Sequence, residues 1–350
     1  MRMIGEKRWG LMIAIGLALA VASVGLFACG GDQAAQSDDS GKLDIGIAFP
    51  EDDWRTAFIQ DFAKEVEERS RGAIETQIHY MDEYKDMQDL LKEMSHDTGK
   101  LDIVLSANAY LGDYSYPELY VSGLPYLFES FEDAWEFAES DVNAQIEAGL
   151  PQYGMRILAH YCGGFRNLGA SRPIDEPGDL KGLVVATVKS PIMMDMLFML
   201  GANPQASVAG ELHDALAKGV YTGVEVSLPT FFRDADYDYL PYVAVTNHSY
   251  NMWSLIIDED VWQSLSPENQ KIVKDAAGKY ARLERMESKK RNDEIIASLQ
   301  EAGVIITYPD YESFKVMTED VRKRHSAAYS ETYEEVKQYL DSQRSGESAG

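Results

Sequence analysis

Residues 43–48 (Leu43-Asp44-Ile45-Gly46-Ile47-Ala48) alternate apolar and polar with period two, which predicts a strand. After an acidic turn opened by Pro50, apolar residues at Ala57, Phe58, Phe62, Ala63 and Val66 mark one face of a helix ending near Gly72. The pattern then predicts a strand over 75–80, a helix over 84–94 and a strand over 101–106. This order argues for a largely parallel sheet covered by helices on both sides. Further on it predicts a helix over 131–148, strands over 155–161 and 183–188, helices over 191–200 and 211–218, a strand over 220–227, and two short strands within 242–257 around Asn247-His248-Ser249. Ser266-Pro267-Glu268 places Ser at an N-cap and Pro at the first helical position. The helix it starts continues to about residue 302, long enough to run along two lobes as a spine. A strand over 304–308 and a helix or helix pair within 311–340 follow, and residues 341–350 are expected to be a disordered tail.

The region before this fold has a different pattern. Arg2, Lys7 and Arg8 precede an apolar run over 11–27, which ends in Leu26-Phe27-Ala28-Cys29. That end resembles the lipobox of bacterial lipoproteins, so residues 1–28 are expected to be a lipoprotein signal peptide and Cys29 the lipidated residue. An uncleaved membrane anchor is the alternative, and either places the remainder outside the cytoplasm. Residues 29–42, rich in Gly, Gln, Ala, Ser and Asp, read as a flexible tether.

Composition narrows the function. The 350 residues are 45% hydrophobic and 11% aromatic, enough for one large or two ordinary domains. A net charge of −26, with basic residues interleaved among acids, excludes a nucleic-acid partner. Cys162 is the lone cysteine beyond Cys29 and reads as a small buried hydrophobe. GxSxG, GxGxxG, Walker, HExxH and CxxC signatures are missing, and the six histidines lack metal-ligand spacing. Hence neither an enzyme nor a cofactor or metal is expected. The stretch from Gly164 to Leu216 reads as the wall of a small-molecule site, with Arg166 in a glycine-rich approach where a guanidinium can meet a ligand. Two crossings between lobes make this the plan of a hinged cleft binder.

Seven segments in a fixed order carry a family resemblance: 62–68 (FAKEVEE), 99–103 (GKLDI), 124–128 (LPYLF), 179–183 (DLKGL), 200–204 (LGANP), 211–216 (ELHDAL) and 265–271 (LSPENQK). Over residues 43–340 the chain resembles the solute-binding subunit of TRAP transporters, the DctP-type family. The resemblance implies a two-lobe α/β periplasmic-binding-protein-like fold, with a cleft between the lobes and a long helix spanning both. It also implies capture of a small organic acid and delivery to the small and large TRAP membrane subunits. Lobe 1 is expected over 43–163 with about 252–291 and 320–340, and lobe 2 over 164–251 with about 292–319. An aromatic or weakly charged hydrophobic ligand, for the same transporter or for a receptor, is the alternative, and a secreted enzyme on the same fold a further one.

The resemblance also marks departures. The arginine that usually follows the Leu-Lys-Gly-Leu segment and pairs with a ligand carboxylate is here Ala186. In the counterpart of the Gly-Gln-Glu-Asn-Pro segment, Glu225 is kept but the amide becomes Val226, and a common aromatic becomes Ala209. The pocket is therefore expected to be larger and more apolar than usual, with Arg166 or Lys189 as the compensating cation. Bracing of the interlobe strand is the alternative for Arg166, and a solvent-facing role for Lys189. Phe49, Trp54, Tyr110, Tyr161, Phe165 and Trp253 are the aromatic candidates, Asn108 and Ser190 the hydrogen-bonding ones, and Glu225 completes the expected ligand-binding set.

Overall fold

The computed structural model describes residues 41–84, 87–94, 99–112, 116–207 and 209–347. The expected signal peptide, Cys29 and all of the expected tether except Gly41 and Lys42 lie outside the described residues. Those two already belong to the first strand, where Gly41 pairs with Ile74, because backbone pairing does not need apolar side chains.

Nine strands form one sheet: β1 Gly41–Ile47, β2 Ile74–His79, β3 Ile103–Ala107, β4 Met155–Ala170, β5 Val184–Thr187, β6 Asn203–Ala206, β7 Gly223–Ser227, β8 Tyr242–Asp258 and β9 Ile305–Thr307. Their order is β2-β1-β3-β8-β4-β7-β5-β6, with β9 alongside β8. The sheet is mixed rather than largely parallel. Short parallel strands flank a central antiparallel pair, β4 and β8, that runs through both halves. The sequence pattern ends the first of these at residue 161 and splits the second in two; in the structure each is continuous. Period-two reading fails there because the strands are bulged, with register shifts between Ile157 and Ala159, Cys162 and Phe165, and Arg166 and Leu168. Asn247 on β8 turns to φ 44° and Gly164 on β4 to φ 77°, a conformation glycine adopts freely. A Cβ on the neighbouring Gly163 would collide with Trp253 Nε1 and the Asn251 carbonyl, so the bend admits no side chain there.

The helices pack as amphipathic layers. Ile59, Phe62, Ala63 and Val66 of helix Thr56–Arg69 share a buried cluster with Ile45, Ile103 and Leu255. The expected helix over 131–148 is two, Phe131–Ala138 and Asp141–Glu147, because Ser140 caps a new start by accepting from Asn143 N at 3.1 Å. The spine is present as Pro267–Glu301, about 50 Å long at 1.5 Å per residue. Its Val273, Ala276, Ala277 and Ala281 enter the cluster under the first half of the sheet, and Leu299 enters that under the second, with Phe231 and Val243. The C-terminal helix Ser330–Glu347 extends into the stretch expected to be disordered. Arg344 holds it by donating to the Leu127 carbonyl at 2.8 Å and pairing with Asp133.

Midway along the spine a carboxylate answers the bulge in β4. Glu284 Oε2 accepts from Cys162 N at 2.8 Å and Oε1 accepts from Ser288 Oγ at 2.8 Å. Burial pushes the Glu284 carboxyl up to about 7, against the pull of these donors. Burial, with the Glu284 charge beside it, also pushes the Cys162 thiol up to about 12, which leaves it an inert core residue. Because Glu284 keeps its proton to higher pH when folded than the ordinary 4.5, its own contribution to stability is lost as pH rises from about 4.5 to about 7. Glu284→Gln is expected to flatten that stretch, by up to ~3 kcal/mol between the two ends. Urea titrations at pH 5 and pH 8 measure it, and equal pH slopes in both proteins would contradict it.

Candidate ligand-binding cavity

The carboxyl ends of β1, β3, β5 and β7 open toward the bend, and a cavity of about 280 Å³ lies there between the two halves of the sheet. Ala48, Phe49 and Arg55 follow β1, Asn108, Ala109 and Tyr110 follow β3, Thr187 to Met193 end and follow β5, and Val224 to Ser227 form β7. Gly163 and Arg166 of β4 and residues 249–253 of β8 make the back wall. Methionines 81, 87, 193 and 252 and the rings of Phe49, Tyr110, Tyr120 and Trp253 give the wall its apolar character. Phe49 and Trp253 stack with centroids 4.8 Å apart, and the Arg55 guanidinium lies 3.7 Å from the Phe49 ring centroid.

At the back, Arg166 does not stand alone. Its Nε and Nη2 form a two-pronged pair with Glu225, Nη2–Oε2 at 2.7 Å, and Nη2 also donates to the Glu225 carbonyl at 2.9 Å. The same carboxylate accepts from Thr187 Oγ1 at 2.6 Å and from His248 Nε2 at 3.0 Å, and His248 Nδ1 pairs with Thr246 Oγ1 at 2.8 Å. The Glu225 side chain is fully buried, which by itself raises a carboxyl pKa. The Arg166 charge and the bonds from His248 and Arg166 outweigh this and hold it well below the usual carboxylate range. Burial likewise disfavours the Arg166 charge, and Glu225 more than restores it.

Arg55 of the lining is held by the buried Asp53 in a second two-pronged pair, Nε–Oδ1 2.8 Å and Nη2–Oδ2 2.6 Å. Arg233, closing helix Leu228–Arg233 after β7, reaches Asp53 at 3.6 Å and Asp234 at 2.7 Å. Burial raises the Asp53 carboxyl, but Arg55 and then Arg233 hold it below its ordinary value.

Of the residues singled out from the sequence, Arg166, Phe49, Asn108, Tyr110, Lys189, Ser190, Glu225 and Trp253 line this one cavity. Asn108 is already engaged, donating to Ser122 Oγ at 3.3 Å and accepting from Ser254 Oγ at 2.5 Å. Trp54, Tyr161 and Phe165 are outside the lining. Trp54 packs edge-on to Phe58 with Arg291 of the spine 4.8 Å from its ring, Phe165 sits in the core between Phe131 and Tyr250, and Tyr161 is buried in the cluster beneath the first half of the sheet. On a strand, Phe165 points away from the face that Arg166 occupies. Ala186 and Val226 do line the cavity; the Ala209 side chain lies outside the described residues. Arg55, Arg233 and His248 escape sequence reasoning, since only the fold brings their partners to them. His248 had one faint signal, its place between two apolar strand segments. Among the described residues, no cluster of three or more His, Cys, Asp or Glu side chains is arranged to hold a metal ion.

The sequence profile described as bacterial extracellular solute-binding protein, family 7, matches residues 46–332. The sialic acid-binding periplasmic protein of Vibrio cholerae is 26% identical over 254 residues, 72% of this chain and 78% of its own. The C4-dicarboxylate-binding periplasmic protein of Rhodobacter capsulatus is 23% identical over 243 residues, 69% and 72% of the two chains. A TRAP periplasmic solute-binding protein of Desulfovibrio salexigens, solved with diglycerolphosphate, superposes with a TM-score of 0.82 over 89% of this chain and all of its own, at 24% identity. At that identity the likeness is one of fold, and the fold is the two-lobe form the sequence resemblance implied. With the profile spanning both halves of the sheet and the cavity between them, the chain belongs to family 7 of the bacterial extracellular solute-binding proteins.

Proposed function

We propose that this protein is the extracytoplasmic solute-binding component of a TRAP-type importer, capturing a small organic acid in the cavity at the bend of the sheet and handing it to the membrane subunits. The observation that carries this reading is the cavity itself, with the Arg166 guanidinium in a wall built from both halves of the sheet. Arg166 Nη1 takes no part in the Glu225 bonds, which supports it as the nitrogen that meets a ligand oxygen. Binding without turnover fits a site where the buried carboxylate is ion-paired and serves as an internal brace rather than a base. A ligand with a substantial apolar or aromatic body is favoured by Ala186, Val226 and the methionine lining. The proposal includes a lipid anchor on Cys29, supported by the lipobox-like Leu26-Phe27-Ala28-Cys29 and the polar segment after it.

A thermal-shift screen of aliphatic and aromatic acids identifies the ligand class, because a molecule that binds only the folded state raises the melting temperature. Against the best hit, Arg166→Ala is expected to weaken binding at least tenfold, about 1.4 kcal/mol or more. The variant also unpairs a buried carboxylate, a loss of about 3–5 kcal/mol in stability, so calorimetric binding is measured at a temperature where the variant remains folded. An unchanged dissociation constant would leave Arg166 only its bracing role. Ala186→Arg is expected to weaken the same ligand about tenfold or more, by filling space and bringing a second charge beside Arg166; tighter binding would place a ligand carboxylate at that position. Cys29→Ser is expected to abolish incorporation of labelled fatty acid and release the protein from membranes; equal labelling of both proteins would remove the anchor from the proposal.

A further inference from the structure

Cationic side chains that line the cavity are Arg55, Arg166, Lys189 and Arg233. Each of the three guanidiniums is already matched by a carboxylate of the protein: Arg166 by Glu225, Arg55 by Asp53, and Arg233 by both Asp53 and Asp234. Lys189, exposed at the edge, forms no ion pair with the described residues. Asp53 is the unusual member. It stands in the loop after β1, while Arg233 ends the helix after β7, so the carboxylate lies between guanidiniums supplied by the two halves of the sheet. Its side chain is only 3% exposed, and Arg55 beside it only 8%. A carboxylate forked by one arginine and approached by a second is the geometry in which a two-arginine site holds a ligand anion. Here the protein supplies that anion itself.

We infer that Asp53 sets the charge specificity of the cavity: it is an internal counter-anion that occupies the Arg55–Arg233 pair and restricts the site to ligands with no more than one negative charge. Asp53 acts through the two arginines and is a positioning residue. The inference rests on the small-organic-acid reading and sharpens it to monocarboxylates. A second ligand carboxylate would be desolvated beside guanidiniums already neutralised and would face the Asp53 and Asp234 charges, and like charges in such a site disfavour a partner strongly. Asp53 stays ionised because the Arg55 hydrogen bonds and charge, followed by Arg233, overcome the effect of its burial. The Arg55 backbone N–H, which Asp53 Oδ1 accepts at 3.0 Å, can equally be accepted by an amide oxygen, so Asp53→Asn keeps the turn and removes the charge.

Matched monoanions and dianions at fixed ionic strength test this in the purified protein: butyrate against succinate, pentanoate against glutarate. The wild type is expected to gain no more melting temperature from either dianion than from its partner monoanion. Asp53→Asn is expected to gain about 2 °C or more from millimolar succinate or glutarate beyond what it gains from the partner monoanion. Adding Arg233→Gln to that variant should remove most of the gain, whereas a merely structural role for Asp53 would give the same loss of stability with no difference between the two kinds of anion. A wild type stabilised more by dianions than by monoanions would overturn the inference without recourse to any variant, and so would an Asp53→Asn protein with no dianion gain. A wild type that answers to no monocarboxylate in the wider screen would count against the organic-acid reading alone, since the dianion gain of Asp53→Asn is read separately.

Discussion

A carboxylate taken out of water has to be met by donors inside the protein, and Glu225 is where this structure depends on that rule. Glu225 lies on β7, Arg166 on β4, His248 on β8 and Thr187 on β5, so one buried side chain joins four strands of the second half of the sheet. The junction sits at the bulges that bend β4 and β8. Backbone pairing is weakest where the register slips, and the side-chain network holds the strands there.

Glu284 solves the same problem from the other side of the bend. The bulge frees the Cys162 N–H, and the spine helix brings a carboxylate to accept it. The contrast lies in charge balance. Glu225 faces a guanidinium across a fork and stays ionised, whereas burial holds the proton on Glu284 toward neutral pH because only neutral donors bond to it. An ion-paired carboxylate thus stands in the cavity wall, and a proton-holding one on the spine braces the bulge of β4. Ligand chemistry is imposed on a framework whose main charges are already balanced, which is why the wall offers apolar surface and few unmatched cations.

Much of this was legible along the chain. The spine helix was clear from Ser266-Pro267-Glu268 and the helical pattern after it, because capping and periodicity act within a few residues. Most of the residues nominated for the site do share one cavity, since strand ends in an α/β sheet converge at one edge. The misreadings have local causes. The continuity of β4 and β8 was hidden by bulges, which break the period-two signal without breaking the strand. The break at Ser140 was hidden because apolar spacing continued across the cap, and the ordered end of the last helix because Arg344 is held by distant groups.

The sequence by itself determined the α/β layering, the spine and the family, because periodicity, caps and ordered motifs are short-range properties. It also determined the departure at Ala186, a matter of one residue type at one position. Only the tertiary structure decided which charges meet. Arg166 and Glu225 are 59 residues apart and Glu225 and His248 are 23 apart, while Asp53 and Arg233 come from opposite halves of the sheet. An ion pair is set by distance and burial in space, and neither can be read from spacing along the chain. For that reason the sequence left Arg166 as either a ligand cation or a brace, and only the fold revealed that the guanidiniums of the cavity are already answered.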